Sequence, residues 1–252
     1  MNPLRAAALL PLLLAALPAA AEPPVRVYGP GGPGPAMKEI AQAFERSVGV
    51  KVEMTAGPTE KWIARAREDA DVIYSGAEYQ MTDLVNAMDG KIDPVSVVTL
   101  YLRPSAILVR PGNPKGVKDL PDLARPGMKV MVVQGSGQVA LWEDMAGKQG
   151  DVRLVRALRR NVARIAASGA AARQAWIDRK DLDAWVTYNI WQIANPTLAD
   201  LVPVGKDHVI YRSCVVALTR KGLGRPVAVG FATFLEGKEA AEIFRKWGWM
   251  AP

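Results

Sequence analysis

The sequence predicts an α/β protein made of two lobes. Short β-branched runs alternate with amphipathic helical segments at a spacing that suits a parallel sheet, and the alternation restarts near residue 101. No low-complexity linker and no close repeat separates the halves, so two crossovers, near 101–106 and 207–214, best explain the order.

The chain opens MNPLRAAALLPLLLAALPAAAEPP. Arg5 precedes an apolar stretch at 6–17 that contains Pro11, and Ala19 and Ala21 stand in A-x-A spacing. That stretch is too short for a spanning helix, so residues 1–21 read as a signal peptide cleaved after Ala21, and the expected location is the periplasm. No cysteine follows it to carry a lipoprotein anchor.

Residues 25–28 (VRVY) form the first expected strand, which enters the turn GPGGPGP. Met37, Ile40, Ala41 and Phe44 then recur at helical spacing. VKVEM (50–54) is the next strand, TEKWIARARED (59–69) a helix, DVIY (71–74) a strand, and a helix begins at Glu78. In the second half SAILVR (105–110) and MKVMVV (128–133) are strands. QGSGQVALWEDMAG is a glycine turn entering a helix, and DVRLVRALRRN is another helix. VARIAASGAAARQAW (162–176) repeats strand, turn and helix, and DLDAWVTYNIW (181–191) is a strand ending in aromatics. CVVALT, then RPVAVGFATFLE and KEAAEIFRKWGW, supply a last strand and two helices. The expected first lobe is residues 22–103 with 209–252, and the second is 104–208.

Beyond residue 21 the chain keeps 31 Lys and Arg against 25 Asp and Glu, a net charge of +6. The densest cationic run, RLVRALRRN, has apolar residues at helical spacing and reads as a solvated helix face, so no nucleic-acid partner is expected. Cys214 is the only cysteine, which excludes an internal disulfide and the usual zinc clusters; SCVVALT reads as a buried strand holding its thiol. No cofactor and no metal is expected.

Four loops share one design, in which a strand ends, small residues follow and a helix starts: 29–35, 56–59, 135–138 and 167–170, with 75–77 a possible fifth. Such turns present backbone N–H groups at positive helix ends and suit an anion that needs no side-chain charge. Gly29, Gly31 and Gly34 also fit G-x-G-x-x-G, the dinucleotide fingerprint. Pro30, Pro33 and Pro35 remove donors a pyrophosphate needs, and an exported protein has little access to nicotinamide pools, so that reading fails. Pro35 instead suits a first helical turn. Catalytic motifs are thin: His208 stands alone, and no G-x-S-x-G, S-x-x-K, H-E-x-x-H or Walker motif occurs. An enzyme is not expected.

VYGPGGPGPAMKEIAQAFE, YLRPSAILVRPGNP, GQVALWEDMAGKQGD and NIWQIANPTLADLVPV with VIYRS together resemble the accessory colonization factor family. That family is similar to the periplasmic molybdate- and sulfate-type solute-binding proteins of ABC transporters. The resemblance implies a type II periplasmic-binding-protein fold, two Rossmann-like lobes joined by two crossover segments, closing on a tetrahedral oxyanion. It implies Gly31 and Gly32 as first-loop donors, Pro58 and Thr59 from the second loop, and Ser75 and Gly76 completing lobe one. From lobe two it implies Gln138 and Val139 at one helix start, Gly169 and Ala170 at another, and Tyr188 as a phenol donor. Arg103 and Arg212 sit at the two crossovers, within expected reach of the cleft, or as hinge ion pairs. The first loop lacks the Ser or Thr that molybdate binders usually place there. Glu60 and Glu78 would repel a dianion unless they point away or pair.

The expectation is therefore a non-enzymatic, monomeric solute-binding protein that takes sulfate, molybdate, tungstate or a sulfonate to an ABC-transporter permease. The main rival is a binding protein for an organic acid, or a sensory or colonisation-related one not coupled to transport. An exported enzyme is the lesser rival.

Overall fold

The computed structural model describes residues 22–252; the signal-peptide reading falls on residues outside them. The chain runs β1 (Val25–Gly29), α1 (Gly34–Val48), β2 (Val52–Ala56), α2 (Ile63–Asp69), β3 (Val72–Ser75), α3 (Glu78–Ala87), β4 (Val98–Val109). It continues β5 (Val130–Val133), α4 (Leu141–Gly147), α5 (Val152–Asn161), β6 (Val162–Ala166), α6 (Gly169–Asp178), β7 (Ala184–Tyr188), α7 (Ile190–Ile193). β8 (Asp200–Pro203), β9 (Tyr211–Leu218), α8 (Arg220–Leu223), α9 (Pro226–Leu235) and α10 (Lys238–Lys246) complete it.

The strand order is β2-β1-β3-β9-β4-β7-β5-β6, with β8 also pairing β4. β1 is parallel to β2 and β3, and β5 is parallel to β6 and β7. The carboxyl ends of each trio therefore lie together, where open α/β sheets hold ligands. β4 and β9 link the lobes. Their antiparallel ladder places Arg103 opposite Arg212, and from Ser105 onward β4 pairs with β7 instead.

Local chemistry explains the elements. Pro35 occupies the first turn of α1, where its missing N–H costs no hydrogen bond, and Gly49 ends the helix at φ 76° with its N–H donating to the Glu45 carbonyl. Met37, Ile40 and Phe44 form its buried stripe, and Phe44 meets Phe231 of α9 edge to face at 5.3 Å between ring centres. Burial of each such side chain contributes about 1.5–3 kcal/mol. Cys214 is fully buried in β9, and burial pushes its thiol up to about 12.

Three expectations shift. The strand expected at 105–110 is the second half of a continuous strand that begins at Val98 and spans both lobes. The segment at 59–69 splits into a 3₁₀ turn, Thr59–Lys61, and α2. The helix expected straight after GSG begins only at Leu141, because Ser136, Gly137 and Ala140 hold left-handed φ of 47°, 79° and 57°. β8 is an addition to the expected strands: at four residues ending in Pro203 it is too short for a clear period-two pattern.

Candidate functional site

A cavity of about 40 Å³ lies where the two sets of strand ends meet. Lobe one lines it with Gly31, Gly32, Gly57 and Pro58, and lobe two with Ser136, Gln138, Ser168, Gly169, Ala170 and Trp191. Arg103 closes it from β4. At roughly 10–15 Å³ for one water-sized sphere, the volume suits a small polyatomic group.

Arg103 is the dominant feature. It is 1 % exposed, and no carboxylate lies within ion-pair distance among the described residues. One Nη donates to the Gly76 carbonyl at 2.6 Å, while Nε has no partner. The guanidinium carbon stands 3.9 Å from the centre of the Tyr188 ring and 5.0 Å from that of Trp249. Desolvation lowers its pKa from the ordinary arginine value. A buried cation without a counter-ion is costly, and an anion in the adjoining cavity would neutralise it.

The other groups around the cavity are donors. Gly31 and Gly32 precede α1 with their N–H groups unengaged, and Gly169 and Ala170 open α6, where first-turn N–H groups have no intrahelical acceptor. Ser168 accepts from the Ala171 N–H as the cap of α6, which leaves its own O–H free to donate. The buried Trp191 indole N–H is unpartnered. Among the described residues no acid lines the cavity. Glu78 turns away to accept from the Ser213 N–H and hydroxyl, and Glu60 is exposed.

Seven of the thirteen sequence-derived residues line the cavity: Gly31, Gly32, Pro58, Arg103, Gln138, Gly169 and Ala170. Gly76 and Tyr188 instead hold Arg103. The Gly76 N–H is already spent on Gln80 Oε1, and the Tyr188 hydroxyl donates to the Gly137 carbonyl, so neither donor points to a ligand. Thr59 and Val139 border a neighbouring pocket of about 240 Å³, where the Val139 N–H donates to the Tyr79 hydroxyl. Gln138 and Val139 lie in the turn before α4 rather than opening the helix. Ser75 is buried and donates to the Ala77 carbonyl. Arg212 pairs with Asp144 at 2.6 Å, so of the two crossover arginines only Arg103 is left for an anion.

Sequence reasoning missed Ser136, Ser168 and Trp191. Both serines lie inside the small-residue loops, so hydroxyl donors come from lobe two although the first loop has none. His208, buried with Nδ1 on the Met145 carbonyl, is structural. A larger groove of about 960 Å³ runs beside α1 and β2, but Lys38, Arg46, Glu39 and Glu45 give it both signs of charge.

The family model for bacterial extracellular solute-binding proteins matches residues 25–250. The chain belongs to that family. No curated protein matches the sequence of this binding protein significantly. Among solved structures, PEB3 of Campylobacter jejuni with L-phospholactate bound is 31% identical, with a TM-score of 0.85, over 90% of this chain and all of that one. The sulfate-binding protein SubI of Mycobacterium tuberculosis shares the fold at 19% identity and TM-score 0.77, over 91% of this chain and 87% of its own. The Azotobacter vinelandii periplasmic molybdate-binding protein shares it at 16% and 0.69, over 90% and 99%. The binding protein thus has the two-lobed type II periplasmic-binding-protein fold.

Proposed function

We propose that this binding protein captures a small tetrahedral oxyanion between its lobes in the periplasm and presents it to an ABC-transporter permease. In this reading it acts as a monomer, without catalysis, after loss of residues 1–21. The moving bodies are residues 22–103 with 209–252, and residues 104–208. The observation that carries the proposal is Arg103: a fully buried guanidinium, free of any carboxylate, beside a cavity lined by N–H and O–H donors. Charge-assisted bonds from both lobes would favour the closed state by differential affinity.

A second reading has one observation behind it. PEB3, at 31% identity, is described with L-phospholactate bound, so the oxyanion in this protein could be carried by a small organic acid.

Calorimetry and thermal melting with sulfate, molybdate, tungstate, phosphate, methanesulfonate and phospholactate test both. Binding of the inorganic oxyanions supports the first reading and binding of phospholactate alone the second; no binding by any defeats both. The cationic lining adds a pH signature, because a protonated oxyanion loses part of its charge-assisted bonding to Arg103. A phosphate ester has a second pKa near about 6, so its affinity should fall as pH drops through that value. Sulfate affinity should stay level from about pH 5 to 8, since Arg103 keeps its charge throughout.

A further inference from the structure

From 152 to 177 the chain carries six arginines and no acid, a charge of +6, equal to the net charge of all residues beyond 21. The rest of the protein is therefore neutral in sum, and its excess charge sits in α5, β6 and α6. α5 buries Leu158 and turns Arg153, Arg156, Arg159 and Arg160 to solvent as one face; Arg164, exposed on β6, lies on the α6 side of the sheet edge. β6 ends the sheet order, so among the described residues no strand covers its outer edge. Among the described residues only Arg153 of these five has an acidic partner, its own helix cap Asp151.

We infer that this face docks on an anionic lipid surface. Guanidinium groups match phosphate and carboxylate oxygens alike as bidentate donors, so two other observations favour lipid over an acidic protein. Apart from the cap Asp151, no acid stands among the arginines of this face, whereas protein interfaces fix register by interspersing both signs. Val152 and Ile165, 66% and 59% exposed, flank the arginines and supply the shallow apolar contact that an interfacial surface uses. Docking here holds the protein at the membrane without using Arg103 or the cavity, so it stands whatever the ligand is.

The test is sedimentation with phosphatidylcholine vesicles, with and without 30 mol% phosphatidylglycerol (about a third of the headgroups anionic). Binding should require phosphatidylglycerol and be released by high salt. Each cation near such a surface strengthens binding about fivefold, so Arg156→Gln, Arg159→Gln and Arg160→Gln together should weaken it about a hundredfold. The triple variant should keep the wild-type melting temperature and ligand response, and Arg103→Met should keep vesicle binding. Equal sedimentation with both vesicles, or an undiminished triple variant, overturns the inference. So does capture by soluble polyglutamate with no sedimentation on phosphatidylglycerol, which would assign the face to an acidic protein.

Discussion

Replacing Arg103 by methionine separates a ligand-holding arginine from a structural one, because the first role predicts a loss of affinity and the second a loss of stability. The side chain keeps its apolar length and loses its charge. The ligand-free protein then forfeits the 2.6 Å bond to the Gly76 carbonyl and the contact with the Tyr188 ring. A bond from a charged donor is worth about 1.5–3 kcal/mol and a desolvated cation–π contact about 2. Against these stands the several kcal/mol that burial of an uncompensated cation costs. The terms nearly cancel, so the melting temperature without ligand should move by less than about 5 °C in either direction. Ligand binding has no such cancellation. Removing one partner of a buried ion pair costs about 3–5 kcal/mol, or roughly two to four orders of magnitude in Kd. The assay is calorimetry plus melting curves with whichever oxyanion shifts the wild type. An unchanged Kd refutes the assignment. A drop of about 10 °C or more without ligand would mark Arg103 as a structural strut.

Gly32→Ala tests the geometry around the same guanidinium: an added Cβ would lie 2.6 Å from an Arg103 Nη atom, so the end of that side chain must shift out of its place beside the cavity. Affinity should fall at least tenfold with little loss of stability, and full affinity would show that the guanidinium has room to move. Tyr79→Phe removes the bond between the α3 hydroxyl and the Val139 N–H, which ties the lobes together at 2.9 Å. One such bond is worth about 0.5–1.5 kcal/mol, so Kd should rise up to about tenfold, carried by faster ligand release in stopped-flow measurements.

Much of the fold is legible in the order of residues. The strand–helix alternation, the proline at the start of α1 and the buried strand around Cys214 follow from short-range pattern, and each stands where that pattern places it. The misjudged places are those where long-range pairing overrides local signal. β4 is continuous through Pro104 because it changes partners there, from β9 to β7, and no local rule announces that exchange. α4 starts late because tertiary contacts hold its preceding loop in left-handed conformations. The Tyr188 hydroxyl grips the Gly137 carbonyl, and Tyr79 takes the Val139 N–H.

The candidate site divides in the same way. Glycine turns at strand ends advertise backbone donors, since only small residues let an anion approach the chain closely, and that information is local. Arg103 and Arg212 look equivalent in sequence, each a lone cation beside a crossover. Their roles separate only in space: Asp144, 68 residues from Arg212 in the chain, neutralises Arg212, while Arg103 lies under Tyr188 with nothing to neutralise it. Sequence alone determined the α/β alternation, the glycine turns and the concentration of charge on 152–177. Tertiary structure decided which cation faces the cleft, because burial and pairing are properties of distance across the fold.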